Sequence, residues 1–565
     1  MKKRRPVLLI VILLSLSLTA ACANTPTTAT QKPTTTTSGT ATTAPTTTQG
    51  LLTPVGTYPI VNQPVTLNIV IQSIAYIQDF NTNEFTLYLE DLTGIDLNFE
   101  VIPEESAKEK MNLMLTSNQY QDIFWMLAPD REKFGVEENI LIDLTDLIEA
   151  NMPNLSAHLQ ENPNFINNIK SSDGKIYALP RYNEVYHYTM PCKMWVNTMQ
   201  LEKLDMAVPT TTDEFYNTLK KYKETNPDGI PLAGYGSTYA DPTIFLANPF
   251  TYYPYGTGRQ WGIRLHENKV ETAVTTDEYK EMLRYLNKLY EEELLYEGTF
   301  TMDANQMKAL VTSEGEPVLF TSVHATVAFI DPATQQELYS HYYPIAPLKG
   351  PNGSQYVSNY TTSISPRCFI TDKCAYPEVA TRFADYFYTM EGYLTCNYGM
   401  EGTGWKKANP GSIGLNGESA TFEILEEIAN SVGADAQNIA WPNCGLDWLP
   451  DNLRNGQAAD ENVDIFSAVG LEKMLYQATK ELYKPFYQEE YQTLYPLSFL
   501  TSESSDISTI SVEVEKTIRQ AKIDFITGAK DIDADWGAYL TALEGIGMNK
   551  LLEVYQAAYD RQYNN

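Results

Sequence analysis

The sequence is poor in the residues that usually announce bond chemistry or metal binding. Cysteine is scarce, six in 565 residues with no CxxC pair, which excludes a disulfide-dense scaffold and a thiol-rich zinc site. The five histidines, at 158, 187, 266, 324 and 341, are scattered without metal-ligand spacing. No GxSxG, HExxH or phosphate-binding loop occurs, so the common hydrolase and nucleotide signatures are missing. Positive charge is deficient as well: 40 Lys and Arg against 71 Asp and Glu leave a net charge of −31. That sign opposes nucleic acids and polyanions and favours a neutral or cationic partner. With so many carboxylates, two of them lying close together somewhere says nothing about glycoside cleavage, which needs a pair held across one bond.

What is present begins at the ends. MKKRRP places four cations ahead of VLLIVILLSLSL, an uncharged run of about twelve residues, where a membrane-spanning helix needs roughly twenty. A basic start, a short apolar stretch and small residues before a processing point read as a secretory signal. Cys22 directly after Ala20 and Ala21 resembles a bacterial lipobox, with Thr19 where leucine is commonest. This resemblance implies that residues 1–21 are removed and that Cys22 becomes a diacylated membrane anchor. Residues 23–50 hold 14 threonines in 28 positions and no large apolar side chain, so they cannot offset the entropy of ordering. A flexible tether over 22–60 is expected, with a reach on the order of 30 Å for its Thr-rich part.

The remainder is too long for one core and suits two lobes. VTLNIVIQ (65–72) alternates apolar and polar residues as a strand does, a helical stretch follows around 82–92, and IDLNFEVIP (95–103) alternates again. Ala107, Met111, Met114 and Leu115 mark an amphipathic helix, and DIFWML (122–127) is a third apolar run. This β-α-β-α-β order implies a parallel sheet whose ligand crevice lies beyond the carboxyl ends of its strands, where Trp125 and Met126 stand. Thr211 with Glu214, and Thr275 with Glu278, have the spacing of helix capping boxes. Cys368 and Cys374 are near enough to bridge, with free buried thiols as the expected state.

Four stretches resemble the family 1 extracellular solute-binding proteins, the lipoprotein receptors of carbohydrate ABC importers. They are LYLEDLTGIDLNFEVIPEESAKEKMNLMLTSNQYQDIF (87–124), DLIEANMPNL with DGKIYALP (146–155, 173–180), MWVNTMQLEKLDMAVPTTTDEFYNTLKKYKETNPDG (194–229), and FITGAKDIDADWGAYLTALEGIGMNKLLEVYQAAYDR (525–561). Two departures stand out: Gln121 replaces the family's proline, and the calcium loop of many long members is cut to NPDGIP (226–231). Only Asn226 and Asp228 remain there as ligands, against the six or more oxygens that calcium takes; no metal and no cofactor is expected.

The resemblance implies an α/β, two-lobed periplasmic-binding-protein-like fold of type II, each lobe a sheet flanked by helices. Lobe 1 is expected from 61–183 and 345–398, lobe 2 from 184–344 and 399–565, with crossovers near 181–190, 345–370 and 395–405. It further implies a monomeric, lipid-anchored receptor on the extracytoplasmic face. The ligand would be a neutral oligosaccharide, passed to the transmembrane permease subunits of an importer; a receptor for peptides or small cations is the alternative, and a surface glycan hydrolase a more distant one. Sugar recognition calls for flat rings and planar polar groups. The candidates are Trp125, Arg181, Tyr182, Asn183, Tyr253, Tyr255, Glu401, Trp405, Trp441, Asp447 and Trp448.

Overall fold

The alternation in VTLNIVIQ does what its period demands: the strand Val65–Gln72 buries Val65, Leu67, Ile69 and Ile71. It pairs in parallel with Ile95–Ile102 on one side and Ile123–Trp125 on the other. The helix between, Glu84–Thr93, starts where the Asn83 side chain accepts a bond from the Phe85 N–H, and ends at Gly94 in the left-handed conformation. These elements belong to a computed structural model that describes residues 50–74, 77–161, 164–236, 239–311, 318–330, 335–360, 363–425, 438–459, 461–467 and 470–563. The signal segment, Cys22 and the Thr-rich stretch to residue 49 lie outside the described residues. No helix among the described residues is long and apolar enough to cross a membrane.

Two sheets organise the molecule. The first has six strands in the order Trp448–Leu449, Leu179–Asn183, Ser363–Ile370, Ile123–Trp125, Val65–Gln72, Ile95–Ile102. The second has four: Tyr342–Ile345, Lys193–Asn197, Leu319–His324, Ile230–Ala233. Helices flank both, giving the two-lobed type II architecture. On the second lobe the capping box of Thr211 and Glu214 forms as its spacing requires. The other box does not: Thr276, not Thr275, caps the helix Asp277–Glu291, accepting from the Tyr279 N–H. Three C-terminal helices, Thr501–Ile526, Ile532–Ile546 and Met548–Tyr563, bury Val514, Phe525, Leu543, Leu551 and Tyr555 in the same cluster as Phe215 and Leu283.

Two boundaries differ from the sequence expectation. The tether does not run to residue 60: Leu52 bridges Val61, Thr53 donates to Ile60 O at 3.0 Å, and Leu51 and Leu52 pack on the first core. Nor does all of 399–565 belong to the second lobe. Trp448–Leu449 pairs in parallel with Leu179–Asn183, and Trp441, Cys444 and Leu446 are buried in the first core. The third crossing therefore lies between Leu449 and Leu471, not near 395–405, because an added edge strand has first to be satisfied in the first sheet. The other crossings run from Asn183 to Lys193 and from Ile345 to Ser363. The three are laced together: Tyr360 N–H donates to Thr189 O at 2.7 Å, Glu184 N–H to Leu449 O at 2.8 Å, and Asp451 N–H to the Glu184 carboxylate at 3.2 Å.

Candidate functional site

The carboxyl ends of Ile123–Trp125 and Leu179–Asn183 both point toward the crossovers, and unusual backbone gathers there. Between Leu179–Asn183 and Ser363–Ile370, Pro366 faces Pro180 while Cys368 faces Leu179, so Arg367 is the extra residue of a β-bulge. Bulges turn a side chain away from the regular alternation and are frequent beside functional sites. Met126, bonded through its N–H to Arg367 O at 2.8 Å, has φ 63°; Asn443 has φ 60° and Asp447 φ 42°. Asn and Asp adopt the left-handed region readily, but a methionine there is uncommon, and Met126 is held in it by its bond to Arg367 O.

Their side chains form a charged network. Arg181 pairs with Asp447 at 2.9 Å, and Asp447 also accepts from the Asn397 amide at 2.9 Å. Asn397 in turn accepts from the Asn443 N–H at 2.9 Å, and the Arg367 guanidinium donates to Asn443 O. Asp447 is only 2% exposed. Burial, and then the neighbouring Arg181 charge, pulls the Arg367 pKa below the usual arginine value.

The other component is aromatic. The crossover helix Tyr186–Thr189 presents Tyr188, which meets Tyr239 edge to face at 6.1 Å. These rings are 37% and 38% exposed, so part of each ring is open to solvent. Behind them Tyr239 leans on Tyr255 at 5.7 Å and on His324 at 6.0 Å, and Tyr360 closes on Tyr255 at 5.5 Å. Burial lowers the His324 pKa to about 4, so the ring is neutral at pH 7.

Lys193 anchors the same crossover. Its ammonium, fully buried, donates to His187 O at 2.8 Å and Met190 O at 2.7 Å, and burial lowers its pKa to about 7. A neutral amine retains two N–H donors for those carbonyls. Between pH 7 and the ordinary lysine pKa of 10.5 the unfolded chain holds the extra proton, so stability should rise with pH over that window. Urea melts of wild type and Lys193→Met from pH 7 to 10 should show wild type gaining relative to the variant; parallel pH profiles would count against the assignment.

The structure separates the sequence candidates. Arg181, Tyr182, Asp447 and Trp448 come together: Trp448 lies between the Tyr182 ring at 4.5 Å and the His158 ring at 4.3 Å, buried behind the ion pair. Tyr255 belongs to the aromatic group. Asn183 is occupied in the turn, accepting from the Val185 N–H at 3.0 Å. Glu401 is exposed in the turn after the helix Met390–Tyr398. Trp125, Trp441 and Trp405 are core residues, at most 1% exposed, and this corrects the expectation that they meet ligand. The Trp125 indole N–H donates to Cys444 O and that of Trp441 to Thr86 Oγ1, while Trp405 fills a cluster with Val185, Leu394 and Phe422. Large indoles gain most by complete burial with the N–H satisfied. Tyr253 likewise stacks on Tyr279 at 6.1 Å and donates its hydroxyl to Arg259 O.

Met126, Arg367, Asn397, Asn443, Tyr188 and Tyr239 were not among the candidates. Pro366 inside a strand is a bulge signal that could have directed attention to Arg367; Met126 stands at a strand end that the sequence marks, and nothing local marks Asn397, Asn443, Tyr188 or Tyr239. The shortened 226–231 turn is closed by protein groups: Asn226 donates to Tyr222 O, Gly229 N–H to Asn226 O, and the Tyr222 ring abuts Gly229. Its two remaining side-chain donors do not fit calcium, and among the described residues no group of three His, Cys, Asp or Glu could hold a metal.

A family model described as bacterial extracellular solute-binding protein matches residues 72–393, more than half of the chain. The fructooligosaccharide ABC transporter substrate-binding protein FusA of Streptococcus pneumoniae is 24% identical over 501 residues, covering 84% of this chain and 86% of the relative. The polygalacturonan/rhamnogalacturonan-binding protein YtcQ of Bacillus subtilis is 21% identical over 363 residues, 62% of this chain and 68% of the relative. A solved structure of an ABC-transporter associated solute-binding protein from Bifidobacterium longum infantis, described as HMO-binding, has a TM-score of 0.74 at 17% identity, covering 88% of this chain and 99% of that one. Its likeness is one of fold. The family match spans strands of both sheets, and the chain belongs to the bacterial extracellular solute-binding protein family.

Proposed function

We propose that this protein is the extracytoplasmic receptor of an ABC importer, taking an oligosaccharide between its lobes and delivering it to the permease subunits. The observation that carries this reading is the part-exposed Tyr188 ring on the first crossover, packed edge to face against Tyr239. Rings supply stacking area for the C–H faces of a pyranose, and amide and guanidinium groups take its hydroxyls. Relatives named for fructooligosaccharide and polygalacturonan binding support the ligand class. Rotation about the three laced crossovers would close the lobes, and only the closed form would present both lobes to the permease. The protein performs no bond chemistry in this scheme. It acts as a monomer held to the membrane by lipid on Cys22, and a Cys22→Ala variant should be released into the medium; retention of that variant on cells would refute the anchor.

Calorimetry of the mature protein against oligosaccharides, amino sugars and peptides tests the ligand class. A matching glycan at 100 times its Kd should stabilise the fold by about 2.7 kcal/mol. Tyr188→Ala and Tyr239→Ala should each weaken that glycan about tenfold without lowering the melting temperature of the free protein. Stabilisation by peptides alone would reject the sugar reading.

A further inference from the structure

Two guanidiniums, Arg181 and Arg367, stand on adjacent strands around one carboxylate, Asp447. The Asn397 amide donates to one oxygen of Asp447, the other faces Arg181 as an ion pair without a hydrogen bond, and among the described residues Arg367 donates to the carbonyl of Asn443. Glu184, close in sequence, is committed to the Tyr182 hydroxyl at 2.6 Å and the Asp451 N–H. Among the described residues, Asp447 is the one carboxylate that acts on Arg367. The Nε atoms of both arginines are buried and make no hydrogen bond.

A structural ion pair is ordinarily balanced, because a surplus buried charge carries an uncompensated desolvation cost. Here two part-exposed guanidiniums, that of Arg181 24% exposed, share one buried carboxylate at the crossover end of the first sheet, in a protein of net charge −31. Arg367 is kept there by a bulge that re-aims it and by three left-handed residues around it.

We propose that Arg181 and Arg367 form a carboxylate subsite, so that the oligosaccharide carries an acidic, uronate-type sugar where it meets the first lobe. This rests on the sugar reading above and narrows it. The planar fork of arginine matches a carboxylate through two parallel N–H···O bonds, whereas a hydroxyl offers no charge to balance. The acidic chain average then keeps out long polyanions, while the two guanidiniums accept one carboxylate.

The test is calorimetry of the wild-type mature protein with galacturonate oligosaccharides, sialyllactose, their carboxyl-reduced counterparts and neutral fructo-oligosaccharides. The expected result is that an acidic glycan binds about 10- to 100-fold more tightly than its carboxyl-reduced form, with an affinity that falls as salt is raised. Arg367→Gln should abolish that difference, and Arg367→Lys should keep part of it. Neutral and acidic glycans binding equally well, or Arg367→Gln retaining the acid preference, would overturn the subsite while leaving the sugar receptor intact. Binding of peptides and of no glycan would overturn both. The wild-type comparison of acid with reduced glycan stands even if a variant fails to fold.

Discussion

Replacing Trp441 by alanine should lower the unfolding free energy by about 3–5 kcal/mol. The indole is fully buried, with the rings of Phe85 at 5.2 Å, Phe99 at 5.3 Å, Phe80 at 5.7 Å and Phe387 at 6.1 Å. Its N–H donates to Thr86 Oγ1 at 3.1 Å, and its backbone N–H to Cys396 O at 2.8 Å. Alanine would leave a cavity the size of the indole in a close-packed aromatic cluster and orphan the Thr86 hydroxyl as an acceptor. The segment that carries Asn443 and Asp447 hangs from this residue, so ligand affinity should fall too, as a consequence of lost order. Urea unfolding followed by tryptophan fluorescence and by circular dichroism measures the effect. Unchanged stability with lost affinity would restore Trp441 to the ligand site and contradict the packing.

Arg454→Leu should cost about 2–4 kcal/mol. Arg454 is 8% exposed and pairs with Glu472 at 2.7 Å. The arginine follows Leu449 of the first sheet, whereas Glu472 opens the helix Leu471–Ala478, whose Met474 and Leu475 are buried in the second lobe. The pair thus spans the third crossing, and Glu472 also faces the His187 ring of the first crossing at 3.4 Å. Removing one member of a buried pair strands the other charge, at about 3–5 kcal/mol; the Glu472 side chain is 25% exposed, and that solvent contact reduces the figure. Burial opposes ionisation of Glu472, but Arg454 outweighs it and holds the carboxyl below its ordinary pKa. The stabilisation is therefore present above the ordinary carboxylate range and is lost as pH falls through the lowered value. Arg454→Leu combined with Glu472→Leu should recover most of the loss in thermal melts at pH 7. A double variant no better than the single one would place the effect in packing of the arginine stem.

Particular residues show how far the sequence could be read. The Val65–Gln72 alternation and the Thr211 box depend on neighbours a few positions away, and both elements formed as their patterns require. The four family-like stretches carried the fold class because their order constrains topology even where each is weak. The tryptophans were misjudged for a physical reason: an indole suits a sugar face and a hydrophobic core equally well, and only the company it keeps distinguishes them. Trp441 meets Phe80, Phe85 and Phe99 from more than 340 residues away in the chain, a meeting that no local pattern encodes. Thr276 capping in place of Thr275 is the same limitation at short range, since either hydroxyl meets the spacing rule within one residue.

By itself the sequence determined the lobed α/β class, the acidic chain average and the absence of nucleotide and metal motifs, because these follow from composition, periodicity and ordered motifs. It also put Arg181 and Asp447 among the candidates, as planar polar groups suited to sugar hydroxyls. Only the tertiary structure decided that these two form a pair, that a bulge brings Arg367 beside them, and that Tyr188 and Tyr239 stay partly exposed. The reason is that a site of this kind is assembled from strand ends and crossovers far apart in the chain. Its charge balance and exposed area are properties of the assembled edge, and they do not exist in any one segment.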